Sequence, residues 1–107
     1  MMNLQKMMKQ AQEMQSRMTE MQSRLEASHF EGSSGGGAVS MTITGKHEML
    51  RVNIDAELLK PEEKETLEDL IIAAYRNARE KVDSTTTEEM NRLSKSINLP
   101  PGIKLPF

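Results

Sequence analysis

The sequence predicts an α+β fold: a long N-terminal helix, a three-stranded antiparallel sheet, a covering helix and a short C-terminal helix. Three observations carry this. Apolar residues recur at alternating steps of three and four through the first 27 residues. The step changes to two between Val39 and Ile54, then returns to helical spacing beyond Leu59. Those two periods are what a helix and a half-buried strand each require to keep apolar side chains on one face.

The first helix is expected over residues 1–27. It contains no Gly, Pro, Val or Ile, and is built mainly of Gln, Met, Lys, Glu, Leu, Arg and Ser, mostly good helix formers. Leu4, Met7, Ala11, Met14, Met18, Met21 and Leu25 form an unbroken heptad seam, the spacing of a helix that pairs with another. Such a helix is about 40 Å long. The remaining 80 or so residues cannot cover it, so it projects or pairs.

Strands are expected over residues 28–56. The run Gly32-Ser-Ser-Gly-Gly-Gly37 reads as a flexible turn segment. Val39, Met41 and Ile43 alternate with polar residues, as do Leu50, Val52 and Ile54, with Gly45-Lys46-His47 turning between them. Ala27 to Glu31 offers a shorter third strand. The expected core is Val39, Met41, Ile43, Leu50, Val52 and Ile54 against Leu67, Leu70, Ile71 and Ala74 of the covering helix.

Residues 60–98 are expected to hold two helices. Pro61 followed by Glu62 and Glu63 marks a start. Thr85-x-x-Glu88 and Thr86-x-x-Glu89 both match a capping box, which suggests a new start or a kink before Met90. Residues 99–107, Leu-Pro-Pro-Gly-Ile-Lys-Leu-Pro-Phe, read as an extended tail.

The chain is 107 residues long, one domain at most, with ten methionines and only three aromatic residues (Phe30, Tyr75, Phe107). So few large rigid side chains make a marginal monomer, and burial against a second copy is the simplest remedy. There is no cysteine, which excludes disulfides and thiolate metal sites. No apolar run approaches a membrane span, and MMNLQKMMKQ lacks the apolar centre of a secretion signal. The expectation is a soluble cytoplasmic protein. A net charge of −2 means that any site for nucleic acid is a local basic patch.

A search for chemistry returns little. His29 and His47 have no partner at ligand spacing, so no metal site is expected. The glycine run lacks the Gly-Lys-Ser/Thr ending of a phosphate loop and precedes a strand rather than a helix. Glu62, Glu63, Glu65, Glu68 and Asp69 crowd a helix start, where they complement its dipole. No catalytic residues, cofactor or small-molecule substrate are assigned, and no enzymatic activity is expected. Arg17 and Arg24 fall at heptad g positions flanking the seam, where ion pairs between helices commonly form.

Taken in order, several segments resemble the YbaB/EbfC family of nucleoid-associated proteins. They are the heptad helix, Gly32 to Val39, Ile43-Thr-Gly45 and Arg51-Val-Asn-Ile-Asp55. Leu67-Glu-Asp-Leu70, Ala73-Ala74, Asn77-Ala78 and the tail from Leu99 to Phe107 complete the set. The resemblance covers essentially the whole chain. It implies a tweezer-like homodimer whose long helices project as paired arms, DNA as the partner, and nucleoid association with effects on gene expression. It also implies contact through basic residues on the arms. By position these are Lys6, Lys9, Arg17 and Arg24 on the first helix, with Arg92 and Lys95 alongside if the last helix folds back. None lies on a recognition-helix motif, so low sequence specificity is expected. The competing class is a protein-interaction adaptor that uses the Met-rich arm as an adaptable surface without binding DNA.

Overall fold

In the computed structural model, residues 3–97 are described. They form helix α1 (Leu4–Ala27), strands β1 (His29–Ser34), β2 (Val39–Thr44) and β3 (Met49–Ile54), and helix α2 (Lys64–Ile97). The three strands make one antiparallel sheet in the order β1-β2-β3. The molecule extends over 73 × 23 × 16 Å with a radius of gyration of 19.9 Å. A compact domain of this size would have about 13 Å, so a large part of the chain lies outside any globular body.

α1 begins where the Asn3 side chain accepts a hydrogen bond from the Gln5 N–H at 3.0 Å, satisfying one of the donors a helix start leaves free. It stops at Ser28, whose N–H donates to the Leu25 carbonyl and whose hydroxyl donates to that of Arg24. The Gly45 N–H also donates to the Leu25 carbonyl at 3.1 Å, which ties the base of α1 to the β2–β3 turn.

The sheet departs from the sequence expectation in two ways. β1 runs His29–Ser34, so Gly32, Ser33 and Ser34 belong to the strand and only Gly35–Gly37 form the turn. All three turn glycines have positive φ (61°, 67° and 96°), a backbone path that side-chain-bearing residues rarely follow. Second, the β2–β3 register shifts between Thr42 and Ile43: Thr42 pairs with Arg51, but Ile43 pairs with Met49. The extra residue is Leu50, so strict alternation fails there. Met49, Val52 and Ile54 oppose Ile43, Met41 and Val39 and share their face.

The core is Val39, Met41 and Ile43 of β2 with Ala74, Ala78 and Val82 of α2. Phe30, Leu58, Leu67, Leu70, Ile71 and Tyr75 pack around it, half-buried. Leu50 and Val52, expected inside, are each 48% exposed, and Ile54 is half-buried. The reason is where α2 sits: it packs on β1 and β2 and leaves β3 uncovered. Its seat is set by Gly32, whose absent side chain admits the helix backbone. A Cβ there would collide with the Ala74 carbonyl and the Ala78 N–H and Cβ. Three hydrogen bonds then fasten β1 to α2. The Ser33 N–H donates to the Asn77 side chain, the Ser34 hydroxyl to the Leu70 carbonyl, and Lys81 Nζ to the Glu31 carbonyl.

The expected break before Met90 is absent. Pro61–Glu63 form a separate helical turn, and from Lys64 one helix of 34 residues continues to Ile97. No Gly or Pro interrupts it. The Thr86 hydroxyl donates to the Val82 carbonyl at 2.8 Å, one turn back in the same helix, instead of capping a new start. The first half of α2 covers the sheet and the second half runs on past it. The expected C-terminal tail, 99–107, lies outside the described residues.

Candidate nucleic-acid interface

The second half of α2 meets the base of α1. Met21 and Leu25 of α1 and Leu93 of α2 are buried there, and Met14 and Met18 are half-buried. Arg24 pairs with Glu89, and Met21 shares a cleft with Leu93, so the helices run antiparallel. The heptad seam is therefore real but only partly used: every residue from Asn3 to Glu13 is exposed. Leu4 and Met7 of the seam are 73% and 45% exposed, as is the neighbouring Met8 at 63%.

Three of the six basic residues singled out from sequence come together. Arg17, Arg24 and Arg92 line one open cleft of about 300 Å³ with Glu20, Met21, Glu89 and Leu93. Arg24 makes the ion pair between helices that its g position suggests, its partner being the Glu89 Oε2 atom. Arg92 lies one turn further along α2, its Nη1 at 3.5 Å from the other oxygen, Oε1, of the same carboxylate. One acid on α2 thus bridges a cation from each helix. Sequence reasoning assigned Glu89 to a capping box. Only the packing of α1 on α2 turns its side chain to this use.

The other three lie apart. Lys6 and Lys9 are exposed on the uncovered outer part of α1, and Lys95 is exposed in the last turn of α2. The outer segment from Asn3 to Gln12 carries those two lysines and no acid. It also ends on the N-terminus of a helix, whose free N–H groups add positive potential. The opposite end of the molecule is acidic, with Glu62, Glu63, Glu65, Glu68 and Asp69 around the start of α2.

The sequence profile of the YbaB/EbfC DNA-binding family matches residues 1–97. The chain belongs to that family. Among curated relatives, nucleoid-associated proteins of Granulibacter bethesdensis and Gluconacetobacter diazotrophicus are 48% and 50% identical to it, and one from Rickettsia bellii is 46% identical. Each alignment spans all 107 residues and the full length of both chains. The fold is shared with the crystal structure of an uncharacterised protein from Helicobacter pylori. That match has a TM-score of 0.75 at 20% identity, over 87% of this chain and 98% of the other.

No group of three or more His, Cys, Asp or Glu residues among the described residues could hold a metal ion. No helix of the described residues is long and apolar enough to cross a membrane. A groove between β3 and α2 is lined by Met49, Ile71, Ile72 and Tyr75 with Arg76, Arg79, Glu80 and Asp83. It is largely apolar and offers no convergent set of reactive groups.

Proposed function

We propose that this chain is a nucleoid-associated protein that binds DNA as a homodimer, mainly through phosphate contacts from its arms and with little sequence preference. It acts in the cytoplasm, at the nucleoid, and carries no enzymatic chemistry. The observation that carries this reading is the outer part of α1: a projecting, solvated helix end that from Asn3 to Gln12 carries Lys6 and Lys9 and no acid, on a protein that is acidic elsewhere. A field of that shape repels DNA from the body and admits it at the arm. Side chains on a free helix end, with no recognition motif, reach phosphates rather than base edges.

Dimerisation is supported by the β3 side of the sheet. The outer edge of β1 is occupied by Asn77 and Lys81 of α2, whereas β3 has only β2 beside it. Around that open edge, Met49, Leu50, Val52 and Ile72 are each about half exposed, from 47% to 51%. The Arg79 Nε is buried beside them with no hydrogen-bond partner among the described residues, its guanidinium 6.0 Å from the Tyr75 ring centre. A second copy laid on this face buries the apolar side chains. Two arms then act together, and weak contacts are multiplied by effective concentration.

The reading is tested by gel shift on unrelated duplexes across a salt series. The variant with Lys6→Glu and Lys9→Glu together is expected to bind all of them more weakly. Its dependence of log affinity on log salt flattens by up to about 4, as counterion release is lost at two phosphates on each of the two arms. Unchanged binding at low salt moves the site off the arm tip, and failure on one sequence alone shows base readout. On dilution, the melting temperature of the parent falls if the dimer is obligate; a concentration-independent value removes the dimer.

A further inference from the structure

We infer that Glu89 is a built-in competitor for the DNA backbone: its carboxylate holds Arg24 and Arg92 as a backbone phosphate would, and DNA must draw them away from it to engage them. The inference rests on the DNA-binding reading above and adds to it a second contact region, at the base of the arm, that is held closed.

The chemistry of the contact matches that of a phosphodiester. Arg24 Nη2 meets one Glu89 oxygen and Arg92 Nη1 the other, at 3.5 Å, so one anion with two oxygens spans two guanidinium groups from two helices. Guanidinium binds carboxylate and phosphate through the same planar fork, and either anion satisfies it. The cleft around the pair, about 300 Å³ and open to solvent, also holds Arg17 at its rim. Its charge is three arginines against Glu20 and Glu89. With Glu89 out of play, the balance shifts by one unit toward the cations.

Burial shows which partner is fixed and which can leave. The Glu89 side chain is 19% exposed, whereas those of Arg24 and Arg92 are 62% and 77% exposed. The acid is seated in the crevice between helices, and the cations reach it from water. With the cations this exposed, water screens the pair, and the arginines can turn toward a backbone phosphate while Glu89 keeps its seat. Nor does the contact have to hold the helices together, because Met21 and Leu93 are buried beside it.

The arrangement predicts a gain of function from removing one charge. Glu89→Gln keeps the shape and helix propensity of the side chain but frees both arginines. Fluorescence anisotropy on two unrelated duplexes over a salt series should show binding tightened roughly five- to tenfold at low salt. The dependence of log affinity on log salt should steepen by about 1 to 2, as one or two further phosphates are neutralised. In the Glu89→Gln background, Arg24→Gln should remove most of the gain. Glu68→Gln removes the same charge from an exposed site near the start of α2. Screening should hold its effect below about twofold.

Parent-like affinity and salt slope in Glu89→Gln overturn the inference, as does an equal gain from Glu68→Gln, which makes the effect one of net charge. Weaker binding by Glu89→Gln together with lost helix by circular dichroism also overturns it, making Glu89 a brace. If the parent binds duplex at low salt and Glu89→Gln gains nothing, the competitor alone falls. If neither binds, the DNA reading falls with it.

Discussion

The sheet body and the arm of this molecule are built on opposite terms. In the body, the apolar face of β2 is covered completely: Val39 and Ile43 are fully buried and Met41 nearly so, beneath the alanines of α2. In the outer arm, Leu4 and Met7 sit on the same kind of apolar stripe and face water. The difference lies not in the side chains, since Met41 and Met7 are the same residue, but in whether a second element lies within reach. The body uses its apolar residues to hold the fold, while the arm keeps its own exposed on a helix that carries charge outward. Substitutions in the two regions should therefore register in different measurements, stability for one and association for the other.

The largest expected effect is at Gly32. A methyl group there meets the backbone of α2 at Ala74 and Ala78, and backbone cannot be moved aside by a change of rotamer. Gly32→Ala should cost about 3 kcal/mol or more in urea unfolding, the upper range for overpacking. A loss under about 1 kcal/mol, well below that range, would mean that α2 does not sit as close to β1 as described.

The next test compares like with like. Met41→Ala should cost about 2 to 5 kcal/mol, as for other buried large-to-small changes. Met7→Ala, on an exposed surface, should stay within about 0.5 kcal/mol of the parent. Equal costs at the two methionines would break the comparison, and would show that a helix from another chain covers the outer seam.

A small gain is expected at the rim of the body. His47 has φ 69°, the only positive value at a non-glycine position among the described residues, in the turn between β2 and β3. His47→Gly should relieve that conformation, with a gain of up to about 1 kcal/mol after the added freedom of the unfolded chain is counted. A loss in thermal unfolding would show that the imidazole makes a contact that outweighs the strain.

Much of the fold was legible because it rests on periodicity. The heptad seam marks α1 to within a few residues, and the alternation from Val39 to Ile43 identifies the buried face of β2. The interruption at Leu50 was not legible. A bulge is a property of two strands paired together, and β3 read alone still shows clean alternation. The false stop before Met90 has a related cause. A capping box is a local signal, and in a long helix its threonine can bond one turn back instead. For the candidate interface, the basic residues could be chosen by position. That Arg24 and Arg92 share one acid depends on how α1 packs against α2.

The sequence by itself determined the kinds of element, their order and the sign of charge along the chain, because side-chain periodicity and composition act locally. The tertiary structure decided which apolar stripes are covered. α2 can lie over β1 and β2 because Gly32, Ala74 and Ala78 leave room for close approach, and that placement leaves β3 open. The same helix, running unbroken past the sheet, brings Glu89 and Leu93 to the base of α1 and stops short of its tip. Burial and ion pairing are sums over neighbours from distant parts of the chain, and no local pattern contains them.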